Sequence, residues 1–232
     1  PELKLELESK GRVFRSRSDA EVLQAALEMW GEDALPRLNG MFAFAWYDTV
    51  EQCLLLARDH AGIKPLYYLL EPAGKGLVFA SQYNQLLLSP WGSPGEVQLD
   101  VLNLYLRLHH IPPPFGLLKN TFQLEPGHYI KVNGSGTMVK RSWWSLPRSP
   151  QADIRGEAAL ELTSRALAAA VQRQRAADVP LGVFLSGGVD SPLVTAVARS
   201  QTAGTLKAFT IGNPGWGQDE AADAELYAQA LE

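Results

Sequence analysis

Apolar residues recur along the chain with two different periods, and the change of period divides it. Val22, Leu23, Ala26, Leu27 and Trp30 stand at helical spacing behind Ser18-Asp19-Ala20-Glu21. A serine followed three residues later by glutamate is a capping box, so a helix opens here, runs through Trp30 and ends at Gly31. Over 41–47 bulky and small side chains alternate, which predicts a strand carrying Phe42, Phe44 and Trp46 on one face. Runs at 53–58, 66–70 and 77–81 predict three more short strands, joined by turns as in an antiparallel meander. The first ten residues fit strand and helix equally. Asp100 predicts a capped helix over 101–108, and the Ile-Pro-Pro-Pro run at 111–114 a loop. Segments 128–132 and 137–140 flank Asn133-Gly134, the signature of a type I′ hairpin.

The later part of the chain reads differently. Residues 143–150 carry no period and read as a linker. A long helix follows over 156–177, with Leu160, Thr163, Leu167, Ala170 and Val171 on one face. Residues 181–185 predict a short buried strand, and Ser186-Gly187-Gly188 a turn almost without side chains. Asp190 and Ser191 are helix-capping types, Pro192 suits a first helical position, and the helix runs on to Ser200. A second strand over 206–211 and a second helix over 219–231 complete a βαβα order, which requires a parallel sheet. The expected organisation is an α+β domain over 1–145, a linker over 146–155 and an α/β domain over 156–232.

Composition narrows the class. With 232 residues, 46% of them hydrophobic and 20% charged, the chain is expected to be a soluble globular protein. A net charge of −4 without any Lys/Arg run gives no support for nucleic-acid binding. Nothing resembles a membrane span or a signal peptide. The single cysteine, Cys53, excludes an internal disulfide framework and fits a reducing cytosol. Its strand-like surroundings make it a buried, inert thiol rather than a nucleophile. His60, His109, His110 and His128 show no metal-ligand spacing. The chain starts on Pro1 without methionine and stops inside a helical pattern, so we read it as a fragment open at both ends.

The chemistry concentrates at 181–192. Strand, glycine turn and helix N-terminus together form an anion site, because loop N–H groups and the helix dipole point at one spot. Two adjacent glycines let backbone approach a phosphate that a Cβ would push away. The Gly-Lys-[Ser/Thr] ending of a Walker loop is absent. Ser186-Gly-Gly-Val-Asp-Ser191 instead resembles the pyrophosphate loop of the ATP pyrophosphatases, which split ATP into AMP and pyrophosphate.

Four further stretches join it in one order. Arg15-Ser-Arg-Ser-Asp-Ala-Glu-Val22, Leu38-Asn-Gly-Met-Phe-Ala-Phe-Ala45, Ala57-Arg-Asp-His-Ala-Gly-Ile-Lys-Pro-Leu-Tyr-Tyr68 and Leu124-Glu-Pro-Gly-His-Tyr129 precede Val183-Phe-Leu-Ser-Gly-Gly-Val-Asp-Ser191. In this set the chain resembles the glutamine-hydrolysing asparagine synthetase family. The resemblance implies part of an N-terminal-nucleophile-type glutaminase, then part of a Rossmann-like ATP pyrophosphatase domain. It implies glutamine, aspartate and ATP as substrates and Mg²⁺ as companion of ATP; the lone cysteine fits a cytoplasmic protein, and a homodimer stays open. Ammonia from glutamine would amidate an adenylated aspartate, giving asparagine, AMP, pyrophosphate and glutamate.

Residue by residue, Asp19 matches the aspartate that holds the glutamine amino group, although a cap on the helix explains it equally well from the residues alone. Ser186, Gly187, Gly188, Asp190 and Ser191 match the pyrophosphate loop. Leu185 and Ile211 match positions whose backbone borders the adenine. Asp190 either contacts Mg²⁺ or caps its helix. Arg58-Asp59 and Lys64-Pro65 are signature residues that we expect to be structural. The family's first-residue cysteine nucleophile and its later Ser-Gly-Glu segment are not in this stretch, so we assign no catalytic residue and expect the fragment alone to be inactive. Gln82 stands where the family commonly has glutamate. Two alternatives stay open: a β-lactam-forming or other ATP-dependent amide synthetase of the same superfamily, and a non-catalytic nucleotide-binding homologue.

Overall fold

A computed structural model of the chain describes residues 2–71, 76–92, 95–148, 153–177, 179–212, 215 and 219–231. It divides into two compact units, Pro1–Arg148 and Ser149–Glu232.

In the first unit, the undecided opening is helix α1 (Glu2–Ser9). Leu3 and Leu7, one turn apart, pack into the core while Leu5 faces solvent, and that spacing selects helix over strand. Helix α2 (Asp19–Trp30) begins where expected: the Ser18 hydroxyl accepts the Ala20 N–H at 3.2 Å. It ends at Gly31, whose φ of +56° suits glycine. The capping box is only half formed. Glu21 reaches past Ser18 and accepts the N–H groups of Arg15 and Ser16, both at 2.8 Å. Those donors, Arg15 first, hold the Glu21 carboxyl below its ordinary range. A 3₁₀ turn over Gly31–Arg37, unforeseen in the sequence, buries Ala34 and Leu35.

Strands β1 (Ala43–Asp48) and β2 (Cys53–Arg58) pair antiparallel, and Phe42, Phe44 and Trp46 pack together against the α2 side of the core. After β2 the expected meander fails. Strands β3 (Tyr67–Leu70) and β4 (Leu77–Ala80) belong to a second sheet. The loop after Arg58 is turned by Asp59, which is wholly buried and accepts the N–H groups of Phe42, Ala61, Ile63 and Lys64. That knot sends the chain to another layer instead of back along β2. Helix α3 (Tyr83–Leu86) is a single turn. Helix α4 (Leu99–Leu108) starts before Asp100, so Asp100 lies in the first turn, where its charge suits the dipole, and does not cap. The preceding Gln98 spends its side chain on the carbonyls of Gly116 and Leu118.

Strand β5 (Thr121–Gln123) completes the order β4-β3-β5, while β6 (His128–Val132) and β7 (Met138–Ser142) extend the first sheet to β1-β2-β6-β7. Leu56 and Ile130 from that sheet meet Leu66, Tyr68 and Leu124 beside the other, forming a second core. The β6–β7 loop is not the predicted two-residue turn. The Asn133 side chain accepts the N–H groups of Ser135 and Thr137, and the positive φ falls on Gly136. Trp143, expected in the linker, belongs to the first core: it stacks on Phe42 with ring centroids 6.0 Å apart.

The second unit holds α5 (Gly156–Gln174), β8 (Gly182–Phe184), α6 (Asp190–Ser200), β9 (Lys207–Phe209) and α7 (Ala221–Ala230). Strands β8 and β9 pair in parallel, with α6 between them in sequence. Helix α5 stops three residues short of the expected end, and Val171 alone among its described residues is buried. Burial of 181–185 is likewise partial. Leu185 is buried, but Phe184 is 80% exposed, on the side it shares with Phe209 and Ile211, which are also exposed. No helix among the described residues is long and apolar enough to cross a membrane.

Candidate functional site

In the second unit the loop after β8 is closed by two serines. The Ser191 hydroxyl accepts the Ser186 N–H at 2.9 Å and lies 2.6 Å from the Ser186 hydroxyl. The Ser186 hydroxyl in turn accepts the Gly188 N–H at 3.3 Å. Ser191 is therefore used backwards, into the loop, and caps nothing. The N-cap position of α6 is Val189, without a side-chain cap, and Asp190 is the first helical residue rather than the cap. Pro192 falls third instead of first, still within the turn whose N–H groups have no helical partner.

The remaining donor of the turn is taken from far away. The Gly187 N–H donates to the Glu220 carboxylate at 3.1 Å, across 33 residues of sequence. The loop thus binds one anion already, a side chain of its own chain. Around Gly188 space is open: a Cβ there would meet nothing nearer than the Ser186 hydroxyl at 3.5 Å. At Gly187 a Cβ would come within 2.9 Å of the Asp223 Cβ and 3.1 Å of the Glu220 Cβ, so the two glycines are unlike. One is free for a ligand to approach. The other is needed for α7 to dock.

Beside the loop lies a cavity of about 340 Å³ lined by Phe184, Leu185, Ser186, Ser191, Phe209 and Ile211, with Thr210 and Glu220 closing it. Its floor is tied across the strands: Leu185 donates its N–H to the Phe209 carbonyl, and the Thr210 hydroxyl donates to the Leu185 carbonyl. Four residues singled out in the sequence (Leu185, Ser186, Ser191 and Ile211) meet here, while Gly187, Gly188 and Asp190 are not among its walls. Phe184, Phe209, Thr210 and Glu220 went unforeseen. Phe184 and Thr210 adjoin chosen positions, and Phe209 is paired with Phe184 across the strands. Glu220 sits in a polar run with no local pattern linking it to Gly187.

In the first unit Asp19 opens α2, and Ser18 does the capping, so the Asp19 carboxylate is not used for that purpose. It lines a cavity of about 840 Å³ together with Arg37, Asn39, Phe42, Lys64 and Ser81. Arg37 stands with its guanidinium 4.4 Å from the Trp30 ring centroid and 2.8 Å from the Glu6 carboxylate. These wall residues were missed as site residues, although Leu38-Asn-Gly-Met belongs to a quoted signature. Gln82 is exposed and caps α3 with no side-chain bond.

Arg58 and Asp59 make bonds of another kind. Arg58 donates to the carbonyls of Lys64 at 2.8 Å and Gly62 at 2.6 Å and to that of Leu124. Burial, the larger influence, lowers its pKa from the usual guanidinium range. Gly62 is fixed by the same knot: its φ is +66°, and a Cβ would strike the Pro126 ring at 2.7 Å. All these bonds stay inside the protein. The pair is spent on holding the loop together.

Comparison with known proteins follows the same division. Residues 1–144 match the family of the glutamine amidotransferase domain, and residues 162–232 match the asparagine synthase family. The glutamine-hydrolysing asparagine synthetase 1 of Bacillus subtilis is 32% identical over 230 residues, covering 99% of this chain and 35% of the relative. Synthetase 3 of the same organism is 32% identical over 197 residues, 85% of this chain and 31% of its own. The glutamine-hydrolysing asparagine synthetase of Asparagus officinalis is 31% identical over 202 residues, 84% of this chain and 28% of its own. The chain spans about a third of the length of these curated relatives. With the amidotransferase match alone covering more than half of it, the chain belongs to the glutamine amidotransferase family, joined to an asparagine synthase region as in the glutamine-hydrolysing asparagine synthetases.

Proposed function

We propose that the whole protein is a glutamine-dependent asparagine synthetase. Its first unit would be part of an N-terminal-nucleophile-type glutaminase, and its second part of a Rossmann-like ATP pyrophosphatase domain. The observation that carries this is the cavity at the ends of the parallel strands β8 and β9, where the Ser-Gly-Gly loop and the apolar residues Leu185 and Ile211 adjoin. Ligands of parallel α/β sheets bind at such strand ends. Gly187, Gly188, Ser186 and Ser191 would hold the β- and γ-phosphates of ATP, and the strand ends at Leu185 and Ile211 would border the adenine. Bound ATP would supply the activation of a carboxylate: the carboxylate oxygen displaces pyrophosphate from the α-phosphorus, and ammonia then displaces AMP, a far better leaving group than oxide, from the carbonyl carbon.

Mg²⁺ fits this reading only in company. No cluster of three His, Cys, Asp or Glu among the described residues could hold a metal. Asp190, exposed at the start of α6, would contribute one oxygen, and phosphate oxygens and water the rest. In the first unit the Asp19 carboxylate, free of capping duty, would take the ammonium group of glutamine as a charge-assisted partner.

The test is ATP-Mg²⁺ binding to the whole chain, followed by thermal shift and titration calorimetry. A shift in the parent that is lost in G188W, whose indole fills the space open to phosphate, is the expected result. A shift that survives in G188W overturns the loop assignment. Aspartate-dependent release of pyrophosphate by the full-length protein then tests the acceptor.

A further inference from the structure

We infer that Glu220 is an internal occupant of the phosphate loop, an anion that ATP or pyrophosphate must displace on entering. The inference rests on the phosphate-loop reading above and adds a competitor to it. Three observations carry it. The Gly187 N–H, an outward donor of the Ser-Gly-Gly turn, is bound to the Glu220 carboxylate at 3.1 Å. Glu220 also lines the cavity beside the loop, so its charge stands in the space a ligand would use. The contact is seated by close packing: Gly187 lies so near the start of α7 that a Cβ would crowd the side chains of both Glu220 and Asp223.

Glu220 is the N-cap residue of α7, yet its side chain makes no bond to that helix. Capping residues ordinarily turn their oxygen to the helix they precede. This one is spent on a loop 33 residues away. A carboxylate and a phosphate accept the same hydrogen bond, and two anions do not share one N–H. The binding-competent loop is then only the fraction of molecules in which Glu220 has swung out, and apparent affinity falls by that fraction. Exposure of Glu220 makes the swing easy, since among the described residues its carboxylate has one bond to give up, that from Gly187. The carboxylate keeps an empty anion loop satisfied and yields to a ligand bearing more charge.

The test compares the parent chain with E220A and E220Q, using pyrophosphate as the probe in titration calorimetry and the Gly187 amide resonance as a second readout. Removing the competitor should tighten pyrophosphate binding by about three- to tenfold in E220A, with E220Q, a weaker neutral acceptor, between the two. Without any ligand, the Gly187 amide proton should move upfield in E220A, and added pyrophosphate should return it downfield. Equal affinity in parent and E220A overturns the inference and leaves the phosphate loop standing. Weaker binding in E220A overturns it as well, making Glu220 a contributor to the site. Pyrophosphate that binds neither chain overturns the phosphate-loop reading and the inference together.

Discussion

Asp59 and Glu220 are both carboxylates that accept backbone N–H groups at a loop, and they differ in everything that decides a role. Asp59 is 0% exposed and gathers four N–H groups. Glu220 is exposed and, among the described residues, takes one. A saturated, buried carboxylate has no acceptor capacity left for a ligand, and removing it leaves four donors without their partner. A single exposed bond can be exchanged at little cost. The count of internal partners, more than residue type, separates the structural loop from the exchangeable one.

The sharpest break between the two is D59A. It leaves four N–H groups without their acceptor, and urea denaturation should show a loss of about 3 kcal/mol or more in the first unit. E220A should remain within about 0.5 kcal/mol of the parent, as for other exposed changes. Comparable losses in both variants would erase the distinction. Next in size is the pair of glycines. G187A pushes a methyl group into the base of α7 and should cost about 1–3 kcal/mol by overpacking. G188A should leave the second unit's melting temperature unchanged while weakening pyrophosphate binding. Equal destabilisation by both would mean that neither glycine faces a ligand.

Titration probes the same contrast in the cores. Burial pushes the Tyr68 phenol up to about 12 from an ordinary 10. The folded state thus keeps its proton longer than the unfolded chain. Stability from this source is full below pH 10 and is lost as pH rises toward about 12. Y68F should flatten that alkaline limb in circular-dichroism pH scans. The smallest effect is at Glu32, whose carboxyl lies below its ordinary 4.5 chiefly through its bond to Lys131. Its contribution is present above pH 4.5 and is lost as pH falls through the lowered value. E32Q should remove it, with a change under about 1 kcal/mol at neutral pH, as for half-exposed ion pairs.

How much of this was legible depended on how local each cause is. Helix α2, the strands β1 and β2 and the break at 111–114 follow from spacing and backbone chemistry within a few residues. The meander failed because Asp59, ordinary as a letter in the sequence, takes donors on both sides of its turn and redirects the chain. The Asn133-Gly134 signal misled because Asn133 bonded forward to Thr137 and shifted the positive φ to Gly136. In the second unit the strand-loop-helix order was readable, and so were four of the cavity walls. Capping was misassigned because Ser191 had a nearer partner in Ser186. Glu220 and the wall around Asp19 depend on contacts between distant segments, which one sequence does not display.

Trp143 and Trp144 both donate their N–H groups to the Gly127 carbonyl, and a Cβ on Gly127 would lie 2.5 Å from the Trp144 oxygen. His60 meets the Trp144 ring edge-on at 5.4 Å. Anyone expressing the first unit separately should therefore keep these two tryptophans. A stop codon placed after Ser142 would strip the cover from Phe42 and expose an aromatic face, inviting precipitation. One placed after Arg148 retains that cover and two indole fluorophores that report on it.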